Sequence, residues 1–149
     1  MSFMPVLKSS DIEDARQDFL ACREALASAV SATGAAPTPA YLTSLELPAS
    51  TVPRRVMAMA VRYTLYVLER VAPGPGVEVR VAPFAAVKIL EGPASDPHNL
   101  TPPDVIELEP WVWMRLACGV TTWAQEKDAG HISAVGERDD LSKLLPIEA

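Results

Sequence analysis

Val77-Glu78-Val79-Arg80-Val81-Ala82-Pro83-Phe84-Ala85-Ala86-Val87-Lys88-Ile89-Leu90 opens the passage that decides the fold class. Val77, Val79 and Val81 alternate with Glu78 and Arg80, and the two-residue period of a strand sends the valines to one face and the charges to the other. The sheet is therefore covered on one side and wet on the other. Pro83 interrupts the run, which marks a bend or an edge position. The following run sets Ala85, Val87 and Ile89 against Phe84, Ala86, Lys88 and Leu90. Gly92 to Pro103 is turn chemistry throughout, and Val105 to Glu109 alternates again as a third strand, expected antiparallel to its neighbour. Pro110 to Cys118 reads as a short helix opened by proline and stopped by Gly119, and a second helix runs from Thr121 or Thr122 to near Gly130. His131 to Val135 is a short strand between glycines, and Asp139 or Asp140 caps a last turn carrying Leu141, Leu144 and Leu145.

On the N-terminal side, Ser10-Asp11-Ile12-Glu13 has the spacing of a capping box and predicts a helix start. Ile12, Ala15, Phe19, Cys22, Leu26 and Val30 recur at threes and fours, so this helix has one docking face, and it ends around Thr33-Gly34. The segment from there to Val52 holds Pro37, Pro39 and Pro48 and reads as a loop or extended connector rather than a folded unit. From Pro53, apolar residues surround a helix on most sides until the Pro73-Gly74-Pro75-Gly76 break, which marks it as the central helix. Strands and helices without strict alternation give an α+β class with helices on one side of the sheet.

A length of 149 residues fits one domain, residues 1–149, with residues 1–52 as its helical preface and connector and 53–149 as its core. The net charge of −6, with lysines and arginines scattered singly or in pairs, disfavours a phosphate backbone, so no nucleic-acid partner is expected. Cys22 and Cys118 fit no zinc or CxxC spacing and read as reduced packing residues of a cytoplasmic protein. The N-terminus lacks a basic leader followed by a long apolar run, and no segment approaches a membrane span, so neither export nor stable membrane insertion is expected.

The passages Trp113-Met114-Arg115-Leu116-Ala117-Cys118-Gly119, Ala129-Gly130-His131-Ile132-Ser133-Ala134-Val135-Gly136 and Asp139-Asp140-Leu141 to Leu145 resemble the closing motif of the sterol carrier protein fold. Upstream, Val77 to Val87, Gly92-Pro93 and Thr101-Pro102-Pro103-Asp104-Val105-Ile106-Glu107, together with Arg138-Asp139-Asp140-Leu141-Ser142, resemble the actinobacterial sterol carrier family, a bacterial orthologue of that fold. The resemblance covers about two thirds of the chain, from Pro53 onward. It implies a mixed sheet of about five strands with helices on one face, enclosing an apolar tunnel that carries sterols, fatty acids or acyl-CoA. Fold alone does not carry function over. The chain departs from eukaryotic carriers in ending Leu145-Pro146-Ile147-Glu148-Ala149, without a peroxisomal address.

The expected activity is non-enzymatic binding or carriage of an apolar or amphipathic small molecule, with no cofactor and no metal. Met57, Met59, Tyr63, Phe84, Trp111, Trp113, Met114 and Leu116 are the candidate pocket wall, since methionines and aromatics line adaptable apolar sites. A dry packed core is the plainer reading of the same residues. Arg80 and Arg138 are candidate headgroup contacts, because a guanidinium grips a carboxylate or phosphate bidentately. Pairing with Glu78, Glu107 or Asp140 is their structural alternative. His98, near Asp96, and His131 have no HxxxH, HxH or nucleophile-elbow partner, and Cys118 sits at a helix C-terminus, where the dipole disfavours a thiolate. Two further readings stand beside the carrier. One is an interaction or scaffold domain whose first helix docks on its own domain or on a second chain as a homodimer. The other is an accessory role related to the mycothiol-dependent maleylpyruvate isomerases, against which count the missing four-helix metal domain and His-rich ligand set.

Overall fold

The computed structural model describes residues 5–92, 104–136, 138 and 140–149. The turn residues Pro93 to Pro103, with Asp96 and His98 among them, and the capping candidate Asp139 lie outside the described residues. Valines at every second position build the first strand as expected. Val77, Val79 and Val81 are fully buried, while Glu78 and Arg80 are partly exposed. This strand, β1 (Pro73–Val81), begins earlier than its alternation, because the Pro73–Gly76 segment stays in the sheet through an irregularity in register. A turn at Ala82, Pro83 and Phe84 sends the chain back as β2 (Ala85–Ile89), antiparallel, with Val79 opposite Val87.

The other two strands are β3 (Asp104–Glu107) and β4 (Ser133–Val135), and the order across the sheet is β2-β1-β3-β4. β3 is parallel to β1, the one earlier strand it pairs with, against the antiparallel pairing expected, and it is antiparallel to β4. Alternation carries no information on direction, and the crossing from one side of β1 to the other sets β3 in line with it. The sheet holds four strands among the described residues, against the five that the resemblance implies.

Four of the helices cover the valine face or the layer behind it. The central helix α3 (Arg54–Val71) packs on β1 and β2 and buries Met57, Ala60, Val61, Tyr63, Thr64, Leu65 and Leu68. On its other side lies α1 (Ile12–Ser31), whose Ala15, Phe19, Cys22 and Leu26 are buried, with the Phe19 and Tyr63 rings stacked at 5.7 Å. α4 (Pro110–Ala117) packs beside α3, and Trp113 Nε1 donates to Thr64 Oγ1 across the contact at 2.8 Å. α5 (Trp123–Asp128) follows with a reciprocal capping box between Thr122 and Gln125.

Two expectations fail locally. The Ser10–Glu13 capping box does not form: a 3₁₀ turn at Ser9–Asp11 moves the helix start to Ile12, and the Glu13 carboxylate instead accepts from Gln17 Nε2 at 2.9 Å. The segment before Val52 is not a loose connector either. It holds the one-turn helix α2 (Pro39–Leu42), whose Thr38 Oγ1 accepts from the Tyr41 amide, and it buries Leu45 and Val52 in the core. The prolines that argued for a connector are compatible with a helix because Pro39 occupies its first position, where no N–H is needed.

Candidate functional site

At one end of the sheet, the N-termini of α3 and α4, the β1–β2 turn and the segment before Val52 converge on an open groove of about 450 Å³. Its apolar wall is Leu47, Val52, Met57, Pro83, Phe84 and Trp111, and its polar groups are Glu46, Arg54 and Glu109. Local sequence explains the convergence. Pro53 and Pro110 start the two helices, and Pro83 turns the hairpin that holds Phe84 over the gap. The Arg54 guanidinium stands over the Phe84 ring, 5.0 Å from its centroid.

The structure thus brings Met57, Phe84 and Trp111 together. Trp113, Met114 and Leu116 lie instead in the packed core, almost without exposure. Tyr63 packs on α1 through Phe19, and Met59 is partly buried, with Arg62 Nη1 3.7 Å from its sulfur. α4 explains the division: its first turn carries Trp111 at the groove, and its later residues turn into the interior. Arg80 pairs with Glu78 at 2.5 Å. Arg138 Nε donates to Asp104 at 3.0 Å, and its Nη1 donates to the Glu91 carbonyl.

Two further clefts adjoin the groove. One, of about 460 Å³, shares Ala82 and Glu109 with it and adds Glu107 and His131. The other, of about 380 Å³, shares Glu46, Glu109 and Trp111 with the groove and also reaches His131. Behind them lies an ionic network that sequence reading missed. Arg115, 2% exposed, grips the fully buried Glu126 with Nε at 2.8 Å and Nη2 at 3.0 Å, and its Nη1 donates to the Leu45 carbonyl. Thr121 Oγ1 donates to the same carboxylate at 2.7 Å, and His131 Nδ1 lies 2.7 Å from it. Burial alone would raise the Glu126 pKa, but hydrogen bonds from Arg115, His131 and Thr121, with the Arg115 charge, hold it below the ordinary 4.5. One sequence signal did exist: an arginine between Met114 and Leu116 on an otherwise apolar helix demands a buried acid.

Nucleophilic chemistry finds little support at the cysteines. Burial pushes the Cys22 and Cys118 thiols up to about 12, far from a thiolate at neutral pH. Among the described residues no group of three or more histidine, cysteine, aspartate or glutamate side chains is placed to hold a metal ion, and no helix is long and apolar enough to cross a membrane.

The protein family described as a bacterial SCP ortholog matches residues 53–147, from the start of α3 through the last turn. No curated protein matches the chain.

Proposed function

We propose a carrier function for this chain, which belongs to that bacterial SCP ortholog family. It binds an apolar or amphipathic small molecule without acting on it chemically. The observation that carries this reading is the groove itself, with Met57, Phe84 and Trp111 on three different elements facing one space of about 450 Å³. That volume lies within the range of small-molecule sites, and an apolar wall with few polar groups is their common make-up. Each methylene buried there contributes about 0.8 kcal/mol, so roughly ten give about 8 kcal/mol before the cost of association.

The N-terminal segment belongs to the same functional unit in this reading. Leu47 and Val52 supply part of the groove wall, and α1 covers the back of α3. Arg80 and Arg138 have no part in headgroup binding, since each already holds a carboxylate and neither lines the groove.

Equilibrium binding of a neutral alkyl alcohol such as octanol tests the proposal. One equivalent should bind, and Trp111→Ala should weaken binding by about tenfold while the fold persists. Binding that is absent, or that is indifferent to Trp111, counts against it.

A further inference from the structure

Strand β4 stays on the sheet with almost nothing buried to hold it there. Ser133, Ala134 and Val135 are all exposed, Val135 by 67%, so neither face of the strand has joined the core. It is three residues long, pairs with β3 alone, and has its other edge unpaired among the described residues. By contrast, β1 lies between two partners and buries Val77, Val79 and Val81 completely. A ladder this short and this wet adds little stability of its own, and such pieces open locally while the rest of the fold persists.

The segment is anchored on either side of the strand. Before it, His131 contacts the buried Glu126 carboxylate through Nδ1 at 2.7 Å and bonds the Glu126 carbonyl through its amide at 3.0 Å. Beyond it, Leu141 is 2% exposed and fixes the chain in the core. Between these anchors the pin is Arg138, whose Nε donates to Asp104 on β3 at 3.0 Å and whose Nη1 donates to the Glu91 carbonyl after β2. The guanidinium is seated closely, since a Cβ on Gly76 or Gly92 would collide with it. Arg138 is itself partly exposed, so water competes for both bonds. Gly136, at φ +112°, lets the chain turn between strand and pin.

Glu107 and Ser133 are partners in the β3–β4 ladder, and both line the cleft of about 460 Å³ that meets the groove at Ala82 and Glu109. Separating them parts the walls of the cleft and lengthens the groove. We propose that β4 is a strap, released at Arg138, whose lifting lets a ligand too long for the groove run on into the cleft. The passage of ligand rests on the carrier reading of the groove, and the lifting of the strap does not.

Hydrogen exchange of the full chain tests the strap without any ligand. The amides by which β4 pairs with β3 should exchange at least about a hundredfold faster than those of β1. Arg138→Gln should speed them by about a further tenfold and leave β1 unchanged. Equal protection of β4 and β1, or equal acceleration of both in the variant, would overturn the strap.

A disulfide tests the passage. Val105 and Val135 stand opposite each other in the ladder, and opposed antiparallel residues lie about 4.5–5.5 Å apart between Cα atoms, a span that a disulfide bridges. In reduced Val105→Cys/Val135→Cys, dodecanol should bind at least about tenfold more tightly than octanol, because its longer chain buries more methylenes. Oxidation should cut that ratio at least about fivefold and leave octanol binding as it was, with the reduced form of the same variant as the control for folding. A dodecanol advantage that survives oxidation, or none in the reduced form, means that the cleft takes no part. Failure of octanol to bind either form would remove the groove reading and the passage with it, and exchange would still decide the strap.

Discussion

Arg115 and Glu126 form a two-pronged ion pair in the interior, Nε to Oε2 at 2.8 Å and Nη2 to Oε1 at 3.0 Å, between the last turn of α4 and the first turn of α5. The pair joins two short helices, and the Leu45 carbonyl on Arg115 ties in the N-terminal segment as well. Geometry of this quality offsets the desolvation of both charges only while both are present. Arg115→Met should therefore destabilise the fold by about 3–5 kcal/mol, and Arg115→Met/Glu126→Leu should lose clearly less than the single variant. Urea denaturation of the three proteins measures this, and a double variant as unstable as the single one would show that the pair is not the source.

The same carboxylate predicts an acid limit. Its folded pKa lies below the ordinary 4.5, so its contribution is complete above 4.5 and is lost as pH falls through the lower folded value. The wild-type unfolding free energy should fall as pH drops below about 4.5, more steeply than for a variant that lacks the carboxylate, Arg115→Met/Glu126→Leu. Parallel acid limbs in the two would place the titration elsewhere.

Trp111 and Trp113, two residues apart, have different duties. Trp113 is fully buried and donates to Thr64, so Trp113→Ala should cost about 3–5 kcal/mol of stability. Trp111 is partly buried and lines the groove, so Trp111→Ala should lower ligand affinity with a smaller loss of stability. Thermal melts and alkyl-ligand titrations on both variants separate core from site, and equal losses in both assays for Trp111 would make it core.

Gly136 has a φ of +112°, and a Cβ there would stand 1.7 Å from Asp104 Oδ1, on the carboxylate that holds Arg138. Gly136→Ala is expected to destabilise by about 1–3 kcal/mol through backbone strain and that clash. An unchanged melting temperature would show that the β3–β4 corner relaxes freely.

Periodicity made most of the fold legible. The alternation at Val77, Val79 and Val81 and the apolar spacing from Ile12 to Val30 each mark a single buried face. What stayed hidden depends on contacts between distant residues. The parallel pairing of β3 with β1 leaves no trace in either strand's pattern. The one-turn helix at Pro39 is shorter than any period, and Glu13 chose a neighbouring glutamine over the cap. At the candidate site, the sequence singled out methionines and aromatics but could not tell Trp111 from Trp113, since their separation depends on how α4 is turned against α3. The Arg115–Glu126–His131 network was foreshadowed only by a charge in an apolar run.

Carriage of a small molecule is the central claim, and native mass spectrometry of the freshly purified protein tests it most directly. The account predicts a species one small molecule heavier than the chain, either as isolated or after exposure to alkyl amines, alcohols and acids, and its loss in Trp111→Ala. A bare chain mass throughout, with no uptake from any of them, would contradict it.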